Sequence, residues 1–168
     1  MVKKILGYGL LVILVFFVAI VTIPSTISPS VTKELKATPS QVHKALSNIR
    51  NFRFWDPKII SDSTVSYDFY SEDNIQCMQV TDSLSNIIAT YKVVKSDLEE
   101  VQISVDIRDI DLVIYSFKLN KTDFGTEITW SMDFEINLMM YILGAESKLE
   151  EMFSEGLNSF QETLMNNL

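Results

Sequence analysis

The chain opens with a stretch in which polar and apolar positions do not alternate at all. Ile5 to Ile23 runs nineteen residues without a charge, and fourteen of them are Ile, Leu, Val or Phe. As a helix it rises about 28 Å, close to the roughly 30 Å of bilayer hydrocarbon. Nothing on it is polar enough to face water, as a soluble surface helix requires. It exceeds the roughly 7–15 apolar residues of a cleaved signal, and the best small-residue site, near Ser28, would put Pro29 just after the cut. The run predicts a transmembrane anchor over residues 1–24 that crosses with residues 5–23, then a tether over 25–30 rich in Ser, Thr and Pro. Lys3 and Lys4 are the only charges before the span, so the N-terminus is expected in the cytoplasm and the rest outside it.

The remainder, residues 31–168, alternates. Val31 to Ala37 reads as a strand. Thr38 follows as an N-cap, with Pro39 at the first helical position and Gln41 completing a capping box. Val42, Ala45, Leu46 and Ile49 then fall at i, i+3, i+4 and i+7, one helical face. The helix runs into an aromatic turn, Asn51 to Pro57, after which the chain has no proline. A proline-free stretch suits inner strands, whose N–H groups all have ladder partners.

Strands are predicted over Val65–Tyr70, Ile75–Val80, Ile87–Val94, Val101–Ile107, Leu112–Asn120 and Ile128–Ile136. Turns fall at Asp73-Asn74, at Ser83–Asn86, at Asp109–Asp111 and at Asp123-Phe124-Gly125, where glycine supplies a positive φ. Short strands joined by tight turns imply antiparallel pairing with one face buried. The chain ends in a helix whose Leu149, Met152, Phe153, Gly156, Leu157, Phe160 and Leu164 share a face, opposite Glu150, Glu151, Glu155 and Glu162. Gly156 costs about 1 kcal/mol against Ala there, so it implies either close packing or open space beneath the helix. The pattern as a whole predicts an α+β domain of seven antiparallel strands curled around one long C-terminal helix.

Charge and composition narrow the function classes. The net charge is −8, and because Lys3 and Lys4 are the only charges in the first thirty residues, the other 138 carry −10. That argues against nucleic-acid binding, which needs a basic footprint to displace counterions. One cysteine, Cys77, excludes an internal disulfide, and one histidine, His43, excludes a multi-histidine metal site. His43 lies off the apolar stripe and reads as a helix surface residue rather than a general base, and no G-x-S-x-G elbow is present. Asp106, Asp109 and Asp111 lack the spacing of a calcium loop and read as turn residues. Glu146, Glu150 and Glu151 read as a solvated helix face. No metal, cofactor or catalytic residue is expected.

The order of elements resembles the START/Bet v 1-like superfamily, also known as SRPBCC or polyketide cyclase/dehydrase and lipid transport proteins. Three passages carry the resemblance: Lys36 to His43, Phe52 to Pro57, and Thr126 to Met132 with the glycine-bearing helix after it. It covers roughly residues 30–168, and a bacterial subgroup also begins with one apolar helix. It implies a helix-grip fold and a cavity between the concave sheet and the C-terminal helix that holds an apolar small molecule or lipid. Val105, Ile107, Trp130, Met132, Phe134, Phe153, Gly156, Leu157 and Phe160 are the candidates to line it, with Phe52, Phe54 and Trp55 as a lip or a bilayer contact. The same side chains could instead fill a core. Three readings follow: a membrane-anchored binding module, a cyclase- or hydrolase-like enzyme in the same cavity, or a protein-interaction module with a filled core. Outward-facing acids favour the first over the second.

Overall fold

A computed structural model describes residues 25–60, 63–108, 110 and 112–167. The predicted anchor at 5–23 lies outside these residues, as do Asp109 and Asp111. Among the described residues no helix is long and apolar enough to cross a membrane.

Among the described residues nine strands are present: β1 (Thr26–Ile27), β2 (Ser30–Leu35), β3 (Ser66–Glu72), β4 (Ile75–Thr81), β5 (Ile87–Ser96), β6 (Glu100–Ile107), β7 (Val113–Lys121), β8 (Thr126–Ser131) and β9 (Phe134–Glu135). The helices are α1 (Pro39–Ser47), a 3-10 turn (Ile49–Phe54), α2 (Pro57–Ile60), α3 (Leu138–Ile142) and α4 (Ala145–Asn167). Seven strands form one antiparallel sheet in the order β2-β8-β7-β6-β5-β4-β3, a meander closed by the first long strand. This is the predicted sheet and long C-terminal helix.

Local chemistry sets the elements where expected. Thr38 accepts from the Gln41 N–H and the Gln41 side chain returns to the Thr38 N–H, the full capping box of α1. Asp73 (φ 51°) and Asn74 (φ 66°) form a two-residue hairpin turn with both φ values positive, whose twist matches the strands it joins. At Gly125 a Cβ would sit 2.1 Å from the Leu35 carbonyl oxygen, so glycine alone lets the β7–β8 turn lie against the end of β2.

Two expectations change. Residues 25–30, expected as a tether, are bonded into the domain: β1 pairs with β9, Ser28 Oγ donates to Asp133 at 2.6 Å, and Ile136 N–H donates to the Ser25 carbonyl at 2.9 Å. The strand expected over Ile128–Ile136 divides into β8 and β9. Pro29, opposite the break, has no N–H to carry the ladder across, and the alternation continues on a new partner. The short helix α3, not foreseen, ends where Gly144 (φ 68°) takes the left-handed conformation of a helix C-terminus.

The core lies between the concave face and the helices. β6 contributes Val101, Ile103 and Val105; β7 contributes Tyr115, Phe117 and Leu119; β8 contributes Ile128 and Trp130. Facing them are Val42 and Leu46 of α1, Phe52 and Trp55, and Phe153, Leu157, Phe160 and Leu164 of α4.

Candidate functional site

The space between sheet and C-terminal helix is occupied by rings. Trp130 stacks on Phe153 at 4.3 Å between centroids and meets Trp55, Tyr115 and Phe117 at 5.7, 5.2 and 5.1 Å. Trp55 lies 5.0 Å from Phe160 and 4.4 Å from Phe52. A Cβ on Gly156 would come within 2.6 Å of the Trp130 ring and 3.0 Å of Pro57. The glycine therefore serves close approach of helix to sheet, and no space is left open beneath it. Of the nine residues expected to line a cavity, Val105, Trp130, Phe153, Leu157 and Phe160 are fully buried, Met132 nearly so, and Ile107 and Phe134 pack half-buried against them. Of the three expected at a lip, Phe52 and Trp55 are in the core and Phe54 is half-exposed.

A groove lies to one side of this centre. It has a volume of about 1070 Å³ and is lined by α1, the 3-10 turn, the β3–β4 hairpin and the last turns of α4. Phe160 and Phe54 are the predicted residues that reach its wall. The walls are held by local bonds. Asn51 Nδ2 donates to the Ala45 carbonyl at 2.8 Å, fixing the corner between α1 and the 3-10 turn. Ile49 N–H donates to Gln76 Oε1 at 3.4 Å, tying that corner to β4. The Arg50 guanidinium lies 4.7 Å from the centre of the Phe69 ring, a cation–π contact across the groove.

The polarity of the groove departs from that of the molecule. Its described lining includes two cations, Lys44 and Arg50, and no carboxylate, although the chain has 22 acids against 14 bases. The apolar part is Ala45, Ile49, Phe54, Phe69, Phe160 and Leu164, beside amides and hydroxyls from Gln41, Asn48, Asn51, Gln76, Tyr70 and Thr163. An apolar wall with a cationic rim suits an amphiphile. Sequence periodicity could not show this, because Lys44 sits off the apolar stripe of α1 and Arg50 lies in the 3-10 turn that follows it.

A second feature is sealed. Asp56, between Trp55 and Pro57, is 1% exposed. Its Oδ1 accepts from the Lys58 N–H at 2.9 Å, starting α2, while Oδ2 and the indole nitrogens of Trp55 and Trp130 have no hydrogen-bond partner. Burial raises the Asp56 carboxyl from 3.8 to about 6, opposed by backbone N–H bonds from Lys58 and Ile59 and by the Lys58 charge. Tyr91 and Tyr115, both buried, are pushed well above the usual phenol range, first by burial and then by the Asp56 charge. The sequence signal was the Asp-Pro pair, an N-cap followed by proline at the first helical position.

The remaining candidates are peripheral. His43 Nε2 lies 3.0 Å from Ser96 Oγ on β5, and Asp106 is exposed. Among the described residues no group of three His, Cys, Asp or Glu could hold a metal ion. Cys77 is buried and free, with its Sγ 3.6 Å from the Ile75 carbonyl.

No family model matches the chain, and no curated protein does. Solved structures do. The chain is similar to a Chromobacterium violaceum protein at TM-score 0.59 and 13% identity, over 84% of this chain and 98% of that one. It is similar to Ara h 8.0201 at TM-score 0.56 and 15% identity, over 84% and 99%. It is similar to StfQ, a di-domain ARO/CYC from the steffimycin biosynthetic pathway, at TM-score 0.57 and 12% identity, over 83% of this chain and 49% of that one. Likeness at this identity speaks to the fold, which is the one the order of elements implied.

Proposed function

On the premise that the chain carries the helix-grip fold of the START/Bet v 1-like superfamily, we propose that it is a membrane-anchored binding module. Its ligand is an apolar small molecule or lipid with an acidic head, held in the groove between α1 and the β3–β4 hairpin. The observation that carries this reading is the groove's lining: an apolar wall closed by Lys44 and Arg50, without an acid, on a strongly acidic chain. The tail would be held by burial, at about 25 cal/mol per Å². The head would be held by charge-assisted hydrogen bonds, each contributing about 1.5–3 kcal/mol. The anchor is residues 5–23, with the N-terminus in the cytoplasm and the domain outside it, on the apolar run and the two lysines before it.

The test is displacement of a fluorescent fatty-acid probe by oleate and by oleyl alcohol, which share a tail and differ in head. Oleate should compete at least tenfold better, and Arg50→Ala or Lys44→Ala should remove most of that preference. A protein that binds no probe, and carries no apolar molecule in native mass spectrometry, refutes the reading. Equal competition by the two leaves an apolar site and refutes the acidic head.

One observation favours an enzymatic reading, the buried Asp56 beside Tyr91 and Tyr115. A carboxyl near pH 6 and two phenols are groups of acid–base chemistry. The aromatic packing closes them off from the groove, so a substrate would reach them only if Trp55 moved.

A further inference from the structure

Strand register sorts the connections into two ends. Ser30 pairs with Ser131, Ser116 with Ser131, Val105 with Val113, Ala89 with Ile107, and Val80 with Ala89. The point where the described chain begins, the β4–β5 turn, the β6–β7 connection and the segment from β9 to α4 therefore share one end of the sheet. The β3–β4, β5–β6 and β7–β8 turns lie at the other end.

Leu98 and Phe124 are exposed singly in turns at the second end, whereas the first end carries a larger group of exposed apolar side chains. Leu84 in the β4–β5 turn is 81% exposed, and Leu112 before β7 is 61% exposed. In and beside α3, Met139 and Ile142 are 63% and 67% exposed, and Tyr141 and Leu143 are also open. The ten residues Ile136 to Ala145 contain no charge. α3 is not amphipathic in the way a surface helix is: its outer side is the apolar one.

The chain's own geometry says what covers this surface. Ile136 N–H is bonded to the Ser25 carbonyl, and Asn137, the next residue, caps α3 through Met140 N–H. The apolar run ends at Ile23, so one residue, Pro24, separates it from the start of the fold. A residue of extended chain spans at most about 3.6 Å. An anchor that ends at Ile23 thus holds α3 and the neighbouring turns against the bilayer surface with no slack.

We propose that this end of the domain docks on the membrane, with Met139, Tyr141, Ile142 and Leu143, flanked by Leu84 and Leu112, entering the interfacial layer of a neutral, zwitterionic bilayer. The inference rests on the anchored reading above. Tyr141 is a residue type that favours the interface. Asp133 and Glu135 lie at the same end, and Asp82 there is already paired with Arg108 at 3.9 Å, so the local balance stays acidic and anionic headgroups are disfavoured rather than recruited. The aromatic bilayer contact expected at Phe52, Phe54 and Trp55 is replaced by this aliphatic one.

The test uses the full chain in phosphatidylcholine vesicles, with Cys77→Ala and one new cysteine carrying an environment-sensitive fluorophore. Ile142→Cys and Leu84→Cys report on the docking end, and Phe124→Cys, 81% exposed at the opposite end, is the reference. Labels at 142 and 84 should be quenched by bromine on the lipid chains and shielded at least fivefold from aqueous iodide relative to 124. Adding one quarter phosphatidylglycerol should reduce the lipid quenching. Flotation after carbonate washing separates the two readings. A chain that fails to float overturns both. A chain that floats, with labels at 142 and 124 equally open to iodide, overturns docking and leaves the anchor. Shielding from iodide without quenching by brominated lipid also overturns it, because a protein surface would then be the cover.

Discussion

Asp56→Asn should stabilise the domain at neutral pH and leave it unchanged in acid. The carboxyl is fully buried, and burial raises it from 3.8 to about 6. The folded state thus holds the proton more tightly than the unfolded one. Stability from this group is complete below about pH 3.8, falls as pH rises through the window to about 6, and stays at its lower level above that. The difference of about two pH units corresponds to about 3 kcal/mol at pH 7. Asn has nearly the shape of protonated Asp and keeps the Oδ1 acceptor for the Lys58 N–H, so the start of α2 survives. Urea unfolding of residues 25–168, followed by tryptophan fluorescence at several pH values, should show the two proteins converging near pH 4 and separating by about 3 kcal/mol at pH 7. In melting temperature that is about 10 °C for a domain of this size. Parallel curves for the two proteins from pH 4 to 7 would refute the argument, since a carboxyl that titrates alike folded and unfolded cannot be buried without compensation.

Other substitutions separate packing from binding. Gly156→Ala should cost about 2 kcal/mol in urea unfolding, because overlap with Trp130 and Pro57 exceeds the roughly 1 kcal/mol that alanine adds to a helix. Phe153→Ala should cost about 3–5 kcal/mol by opening a void against Trp130, whereas Arg50→Ala, on the groove rim, should change stability by less than about 1 kcal/mol while weakening capture of oleate. Thr38→Ala should cost about 1 kcal/mol by breaking the capping box of α1, measured in the same unfolding assay.

The fold was legible because its signals are local. Period-two alternation in Val101–Ile107, the Asp73-Asn74 turn and the Thr38-Pro39-Gln41 cap each act within a few residues, and chain order then left one economical topology. The division of the last strand was not legible, since it depends on Pro29, a hundred residues away, facing the break. The groove between α1 and the β3–β4 hairpin was not legible for a related reason. An apolar stripe shows which residues leave water, and it does not show whether they meet a ligand or each other. Trp130, Phe153 and Trp55 met each other. The groove formed instead from the polar flank of α1 and a hairpin that curls toward it, and no periodicity marks such a junction. Asp56 drew no attention in the sequence, because its burial depends on distant segments, with Tyr91 and Tyr115 on two strands of the sheet.

The length of α4 sets a transport problem. Its 23 residues rise about 34 Å, from the end where the described residues begin toward the groove that Phe160 and Leu164 help line. With the first end on the bilayer, the groove mouth stands most of a domain's length above it. A lipid diffusing laterally in that leaflet never meets the mouth. On the proposed function, loading would depend on molecules that have left a membrane or micelle, and its rate would follow the concentration of free monomer in water, not the surface density in the bilayer. On the proposed anchoring and groove, such a geometry would suit a collector of desorbed amphiphiles, with a capture rate that levels off at the critical micelle concentration of each ligand.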